Sequence, residues 1–318
     1  MPPRLVLILA TILAAAIAFV YLAYRSDIER EFERVSTGSR IAQTACGPIE
    51  YASAGEGEPV LVVHGAGGGY DQGMDIAGGL AAGGFRVIAV SRFGYLRTPL
   101  PADGSAEAQA DAHACLLDAL GIRRAAIFGA SAGAPSSMQF ALRHPERCAA
   151  LVLLVPAAYV PRPGGASSVT PPAGAGFFFD TALRWDFLFW AAIRVAPRIL
   201  IGSILGTPAE VVDRASPEEQ ARVRTMLDHI LPVSVRRLGL VNDAAVVPGL
   251  PRYALERIAA PTLVTSTADD RYGTYDGARY TAEHIADARF IGYPTGGHLL
   301  VGHQKEGMKE IAAFLKSR

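Results

Sequence analysis

"FGASAGAPSS", residues 128–137, places one serine, Ser131, between Gly129 and Gly133 in a run of small residues. The Gly-x-Ser-x-Gly spacing suits a serine carried on a sharp strand-to-helix turn. It also suits a plain bend where two backbones pack closely, and a chain with 33 glycines meets that spacing easily by chance. The neighbouring segments separate the two readings. "RAAIFGAS" (124–131) is an apolar run that reads as a strand entering the motif. "APSSMQFALRHPER" (134–147) reads as a helix leaving it, with Pro135 tolerated in the first turn.

The same alternation continues on both sides. "PVLVVHG" (59–65), "FRVIAVSR" (85–92) and "CAALVLLVP" (148–156) read as buried strands, and "AEAQADAHACLLDALG" (106–121) as a helix closed by glycine. Near-continuous apolar strands separated by helices predict an α/β fold with a mostly parallel sheet covered on both faces. Past Pro156 the pattern changes. Residues 157–176 are rich in Pro, Gly and Ser, and the following stretch holds both tryptophans of the chain. Thr207-Pro208-Ala209-Glu210 and Ser216-Pro217-Glu218-Glu219 then read as capped helix starts. Strands resume at "APTLVTST" (260–267) and "ARFIGYP" (288–294), and residues 305–317 close the chain as a helix.

At the other end, "LVLILATILAAAIAFVYLAY" (5–24) is twenty residues without a charge, long enough as a helix for a hydrocarbon core of about 30 Å. Tyr21 and Tyr24 stand where interfacial aromatics belong, and the apolar run exceeds that of a cleaved signal peptide. The reading is an uncleaved single-pass anchor at residues 1–25, with 26–45 as a stalk. Arg25, Arg30, Arg34 and Arg40 outnumber Arg4 across the span, which leans toward a cytoplasmic catalytic domain without fixing the side of the membrane.

Formal net charge is zero and no basic stripe is present, so nucleic acid is not an expected partner. Cys46, Cys115 and Cys148 are an odd set without metal-ligand spacing. Cys115 and Cys148 read as buried small hydrophobes, with a Cys46–Cys148 bridge left open for an oxidising compartment. No metal cluster or cofactor fingerprint is legible, and the oligomeric state cannot be read.

With these pieces together, the chain from about residue 45 to its end resembles the α/β-hydrolase fold family with a helical cap. The likeness is carried by "VVHGAGGG" (62–69), "GASAG" (129–133), "PTLVTSTADD" (261–270) and "PTGGHLL" (294–300), in the family's order of serine, acid and histidine. It implies a core of residues 46–156 and 251–318 around an all-helical cap at 157–250. It also implies Ser131 as nucleophile, His298 as base and Asp270 as the acid that orients it. His303 is the substitute for His298. Asp269 is an alternative to Asp270, because Thr267 stands where the family places a glycine three residues before the acid. The backbone N–H groups of Ala66 and Ala132 are the expected oxyanion hole.

A serine at this position argues against the epoxide- and halide-processing members, which carry aspartate there. The expected activity is hydrolysis of a carboxylic ester with an apolar acyl or aryl group through an acyl-enzyme. Phe177, Phe178, Phe179, Trp185, Phe187, Phe189 and Trp190 supply apolar surface for such a substrate. The alternatives are carbon–carbon bond hydrolysis of a vinylogous diketone on the same site, and a non-catalytic binding protein that kept the fold.

Overall fold

The computed structural model describes residues 2–161 and 181–318. Phe177, Phe178, Phe179 and most of the Pro/Gly-rich stretch lie outside the described residues.

Among the described residues, eight strands form one sheet in the order β1-β2-β4-β3-β5-β6-β7-β8. β1 (Arg40–Thr44) and β2 (Gly47–Ala54) are antiparallel, and β2 pairs antiparallel with β4 (Phe85–Val90). From β4 across β3 (Glu58–Val63), β5 (Ala125–Ala130), β6 (Cys148–Leu154), β7 (Thr262–Thr267) and β8 (Ala288–Tyr293) every pairing is parallel. Val, Ile, Leu and Ala fill the central strands because both faces are covered. Leu61, Ile127, Leu151 and Val264 point into one apolar cluster, and Val60, Phe128, Val152 and Leu263 into the other.

The α-helices that lie wholly among the described residues are α1 (Pro3–Thr37), α2 (Tyr70–Ala77), α3 (Ala106–Ala119), α4 (Ala134–Arg143), α5 (Asp186–Val195), α6 (Pro197–Ser203), α7 (Ala209–Asp213), α8 (Pro217–Asp228), α9 (Arg237–Val246), α10 (Thr274–Glu283) and α11 (Gln304–Lys316). Five of them, α5 to α9, fall between β6 and β7, where the sequence reading expected helices. Trp190, Ile193, Val223, Leu227 and Ile230 form a third apolar cluster among them.

The polar stretch 26–45, expected to be a stalk, is the second part of α1 followed by the edge strand β1. α1 is long and apolar enough to cross a membrane, with mean hydropathy 2.8 in its apolar window and none of that window buried. Its lower turns leave the apolar window and bury Ile28 and Val35 against the rest of the protein. The alternating charges that looked like a solvated stalk are partly salt bridges to the fold. Arg34 Nη1 lies 2.7 Å from Asp71 Oδ2, and the fully buried Arg236 sits on the same carboxylate at 2.6 Å. Arg236 also donates to the Gly68 carbonyl. α1, α2 and the segment before α9 therefore meet on Asp71.

Burial pushes the Asp71 carboxyl pKa up, but the Arg236 and Arg34 charges and hydrogen bonds outweigh it and hold it far below the usual carboxylate range. The unfolded chain titrates this group near about 3.9. Its stabilisation is complete above that pH and is lost as pH falls toward the folded value.

The cysteine reading needs correction. Cys46, in the β1–β2 turn, and Cys115, on α3, form a disulfide with Cα atoms 6.0 Å apart, while Cys148 is the buried free thiol. α3 packs beside β1 and brings together two residues 69 apart in sequence, which spacing alone could not reveal. Burial pushes the Cys148 thiol up to about 12.

Two outcomes follow for solution work. Thiol titration should find no reactive cysteine in the native protein, one after denaturation without reductant, and three after reduction. Asp71→Asn should lower unfolding stability at neutral pH by about 3–5 kcal/mol, since it strands buried guanidinium charge. The variant should also lose the extra acid sensitivity that the wild type shows below about pH 4, measured by denaturant melts across pH.

Candidate active site

β5 delivers its last residue to Ser131, whose φ of +48° lies in the left-handed region. A non-glycine residue there is strained and persists only when its surroundings enforce it. Here the surroundings do. A Cβ on Gly129 would lie 2.4 Å from Ser137 Oγ on α4, and one on Gly133 would lie 2.4 Å from the Val63 carbonyl at the end of β3. The two glycines let strand and helix close around the turn, and the amino end of α4 directs partial positive charge at it.

His298 arrives on the short turn after β8. Its Nε2 is 2.9 Å from Ser131 Oγ and its Nδ1 is 2.8 Å from Asp270 Oδ2. A carboxylate only accepts, so Nδ1 carries the proton and Nε2 is left to accept from the serine hydroxyl. Such a line can take the serine proton as the oxygen attacks a carbonyl, and Asp270 then faces the imidazolium that forms.

Asp270 is buried at the end of β7. Burial raises its pKa, but the His298 hydrogen bond and charge, joined by bonds from Thr274 Oγ1 and the Tyr272 N–H, outweigh it and hold it below the usual carboxylate value.

Asp269 does not touch His298. It accepts from the N–H groups of Gly296 and Gly297 at 3.2 and 2.8 Å, and so fixes the turn that presents the histidine. Thr267, the departure from the family's glycine, donates to the Gly297 carbonyl at 2.9 Å and braces the same turn. His303 stacks on Tyr293 instead of facing the serine.

The loop after β3 is held by His64. Its Nε2 accepts from the Arg92 N–H at 3.0 Å, which leaves Nδ1 to donate to the Gly65 carbonyl at 2.6 Å. Burial, aided by the Arg92 charge, drives its pKa well below the ordinary histidine value, so it stays neutral. The Gly65 N–H donates to Gln72 Oε1 and the Gly67 N–H to the Tyr95 hydroxyl. Ala66 lies between them, and among the described residues nothing accepts from its N–H. Ala132 follows Ser131 at the start of the turn into α4. The His64 loop comes close to the serine, since a Cβ on Gly65 would lie 3.0 Å from Ser131 Cβ.

Several contributing residues escaped sequence reading. The Gly206 carbonyl accepts from both the Arg271 N–H at 3.0 Å and the His298 N–H at 3.3 Å, tying the acid loop to the base loop. Thr207, expected to cap a helix, makes no cap bond; its hydroxyl accepts from the Leu299 N–H at 3.2 Å and donates to the Leu205 carbonyl. The pattern Thr-Pro-x-Glu disguised this role as a helix start, whereas Ser216 does cap α8 as expected. Arg92 and Tyr95 meet the buried Asp243 of α9 at 2.6 Å each, pinning that helix beside the His64 loop.

Comparison with known proteins bears on the fold and the family. A family model described as the alpha/beta hydrolase fold matches residues 58–197. A 2-hydroxy-6-oxo-6-phenylhexa-2,4-dienoate hydrolase of Comamonas testosteroni is 28% identical, over 85% of this chain and 92% of its own. A 2-hydroxy-6-oxononadienedioate/2-hydroxy-6-oxononatrienedioate hydrolase of Paraburkholderia xenovorans is 35% identical, over 79% of this chain and 83% of its own. Among solved structures, an alpha/beta hydrolase fold protein from Nakamurella multipartita superposes with a TM-score of 0.68 at 28% identity, covering 87% and 98% of the two chains.

The Gly206 tie has a measurable consequence. A methyl group at this position, which sits at φ +56°, would lie 2.5 Å from the Tyr272 ring and 3.0 Å from His298 Cβ. Gly206→Ala should slow covalent labelling of Ser131 by a fluorophosphonate about 100-fold, the cost of displacing a reacting group by about an ångström. An unchanged labelling rate in a folded variant would remove Gly206 from the account.

Proposed function

The chain belongs to the α/β-hydrolase fold family and is a hydrolase, and from that premise we propose that it is a membrane-anchored serine hydrolase cleaving a carbon–carbon bond of a 2-hydroxy-6-oxo-dienoate. The observation that carries the chemistry is the Ser131–His298–Asp270 line, with contacts of 2.9 and 2.8 Å. The substrate class is supported by the two curated relatives, both named for such dienoates and both matched along most of their length.

The roles follow from the geometry. The dienol first ketonises: its 2-hydroxyl gives up a proton and the carbon beside the 6-oxo group gains one, leaving a 2,6-diketone with a methylene next to C6. Ser131 attacks the 6-oxo carbon as His298 accepts its proton, and the N–H groups of Ala66 and Ala132 receive the oxyanion. Collapse breaks the bond to the neighbouring methylene carbon. The released electron pair spreads into the conjugated 2-oxo acid, which leaves as a 2-hydroxydienoate after protonation. Water activated by His298 then frees Ser131 and releases the carboxylic acid.

A carboxylic ester is the second reading. It is favoured by the hydrogen-bond partners of Ser131 and His298, which among the described residues include the acid Asp270 and no Lys or Arg to hold a substrate carboxylate.

The anchor is α1, by length and hydropathy. The Cys46–Cys115 disulfide supports a catalytic domain on the oxidising side of that membrane, because cytosolic thiols are kept reduced. This reverses the lean from charge counting alone, where a single Arg4 and the free amine oppose the flanking arginines.

Wild-type protein should consume a 2-hydroxy-6-oxo-dienoate with loss of its conjugated absorbance and release of one acid and one hydroxydienoate. Ser131→Ala should lower kcat about a million-fold, the scale seen when a catalytic serine is removed. Equal fluorophosphonate labelling of both proteins would refute the serine mechanism. Turnover of aryl esters with no dienoate turnover would select the second reading.

A further inference from the structure

The end of the apolar span is not free. Tyr24, the last residue of the charge-free run, sets its ring edge against Phe187 and Trp190 of α5, at centroid distances of 5.2 and 5.6 Å. One turn further along, Asp27 Oδ2 accepts from Trp190 Nε1 at 2.8 Å and from Arg194 Nη2 at 2.5 Å. α5 is therefore fastened to α1 at the level where a membrane-spanning helix would leave the hydrocarbon.

Around that junction the surface is unusually apolar for one facing water. Trp185 is 61% exposed, Leu188 56%, Val195 84% and Ile199 68%. They belong to α5, the turn before it and α6, with the guanidinium groups of Arg194 and Arg198 among them. Large aliphatic and tryptophan side chains flanked by arginines make up the surface of a helix lying in a lipid interface. A water-facing patch of this kind is uncommon on a protein that stays wholly in solution.

We propose that α5 and α6 lie in the headgroup–acyl boundary of the same bilayer that α1 spans, with Trp185, Leu188, Val195 and Ile199 entering the lipid. This rests on reading α1 as an anchor and goes beyond it, since a tether alone would leave these side chains in water. The occupant of the patch is the lipid surface. α1 is continuous from the span to the junction, and the Asp27 and Tyr24 contacts hold α5 beside the point of exit. α6 leads through Ile204 and Leu205 to Gly206 and Thr207, which hold the His298 turn. The bilayer thereby fixes the segment next to the site, and an apolar substrate dissolved in the leaflet needs only a short path to Ser131.

The two tryptophans allow a direct test, because the chain has no others. The full-length protein is reconstituted into phosphatidylcholine–phosphatidylglycerol vesicles, with or without bromine atoms high on the acyl chains. An interfacial helix buries its apolar face to about 5–10 Å, so bromine should quench one of the two tryptophans and lower total emission by roughly half. Trp185→Phe should abolish most of that quenching, since Trp190 is only 7% exposed and faces α1. Vesicle-bound protein with equal emission in brominated and plain lipid overturns the docking and leaves the anchor intact. Blue-shifted but unquenched emission also overturns it, in favour of a second copy of the chain covering the patch. Protein that fails to float with vesicles overturns the anchor, and the docking with it.

Discussion

A hydroxyl and an imidazole 167 residues apart must meet within 2.9 Å, and most of the fold serves that requirement. Parallel strands solve it because their carboxyl ends all open on one edge of the sheet. Ser131 directly follows β5, Asp270 lies in the loop after β7 (Thr262–Thr267), and His298 lies in the loop after β8 (Ala288–Tyr293). The cost is local strain at Ser131, held in the left-handed region by the close approach of β3 and α4 on either side. A side chain at Gly129 or Gly133 would prise those elements apart and let the serine relax.

Around this line, ionic contacts do what apolar packing cannot do as specifically: they fix which surfaces face each other. Asp71 gathers Arg236 and Arg34, and Asp243 gathers Arg92 and Tyr95. In each case the aspartate is far in sequence from the residues that it holds. Pairs this deeply buried add little net stability against an apolar alternative, but losing one member is costly. They therefore act mainly as registers that seat α1 and α9 against the loop holding Ala66. The neutral His64 has the same office inside that loop, since its two ring nitrogens are both spent on backbone groups.

Legibility in the sequence followed the range of the interactions. The central strands were readable because both faces are buried, so their apolar runs are continuous. The candidates Ser131 and His298 were legible because glycines stand beside them just past a strand, whereas Asp270 was picked out only by its place after β7 and shared that signal with Asp269. β1 and β2 were not, because an edge hairpin with one wet face carries the polar residues of a linker. The lower turns of α1 were misread for a related reason: their charges pair with Asp71 and Trp190, contacts invisible in local patterning. The disulfide, the Gly206 tie and the division of labour between Asp269 and Asp270 depend on distances between remote segments. No spacing rule reaches them.

Of the two neighbouring aspartates, Asp270 holds the His298 ring and Asp269 holds the backbone of its turn. The proton on His298 Nδ1 is held by Asp270 and sheltered by the packed loops around it. Proton NMR of the protein in detergent should show one far-downfield, slowly exchanging imidazole resonance. This signal should disappear in Asp270→Asn and persist in Asp269→Asn. A resonance that survives in folded Asp270→Asn and vanishes in Asp269→Asn would contradict this assignment.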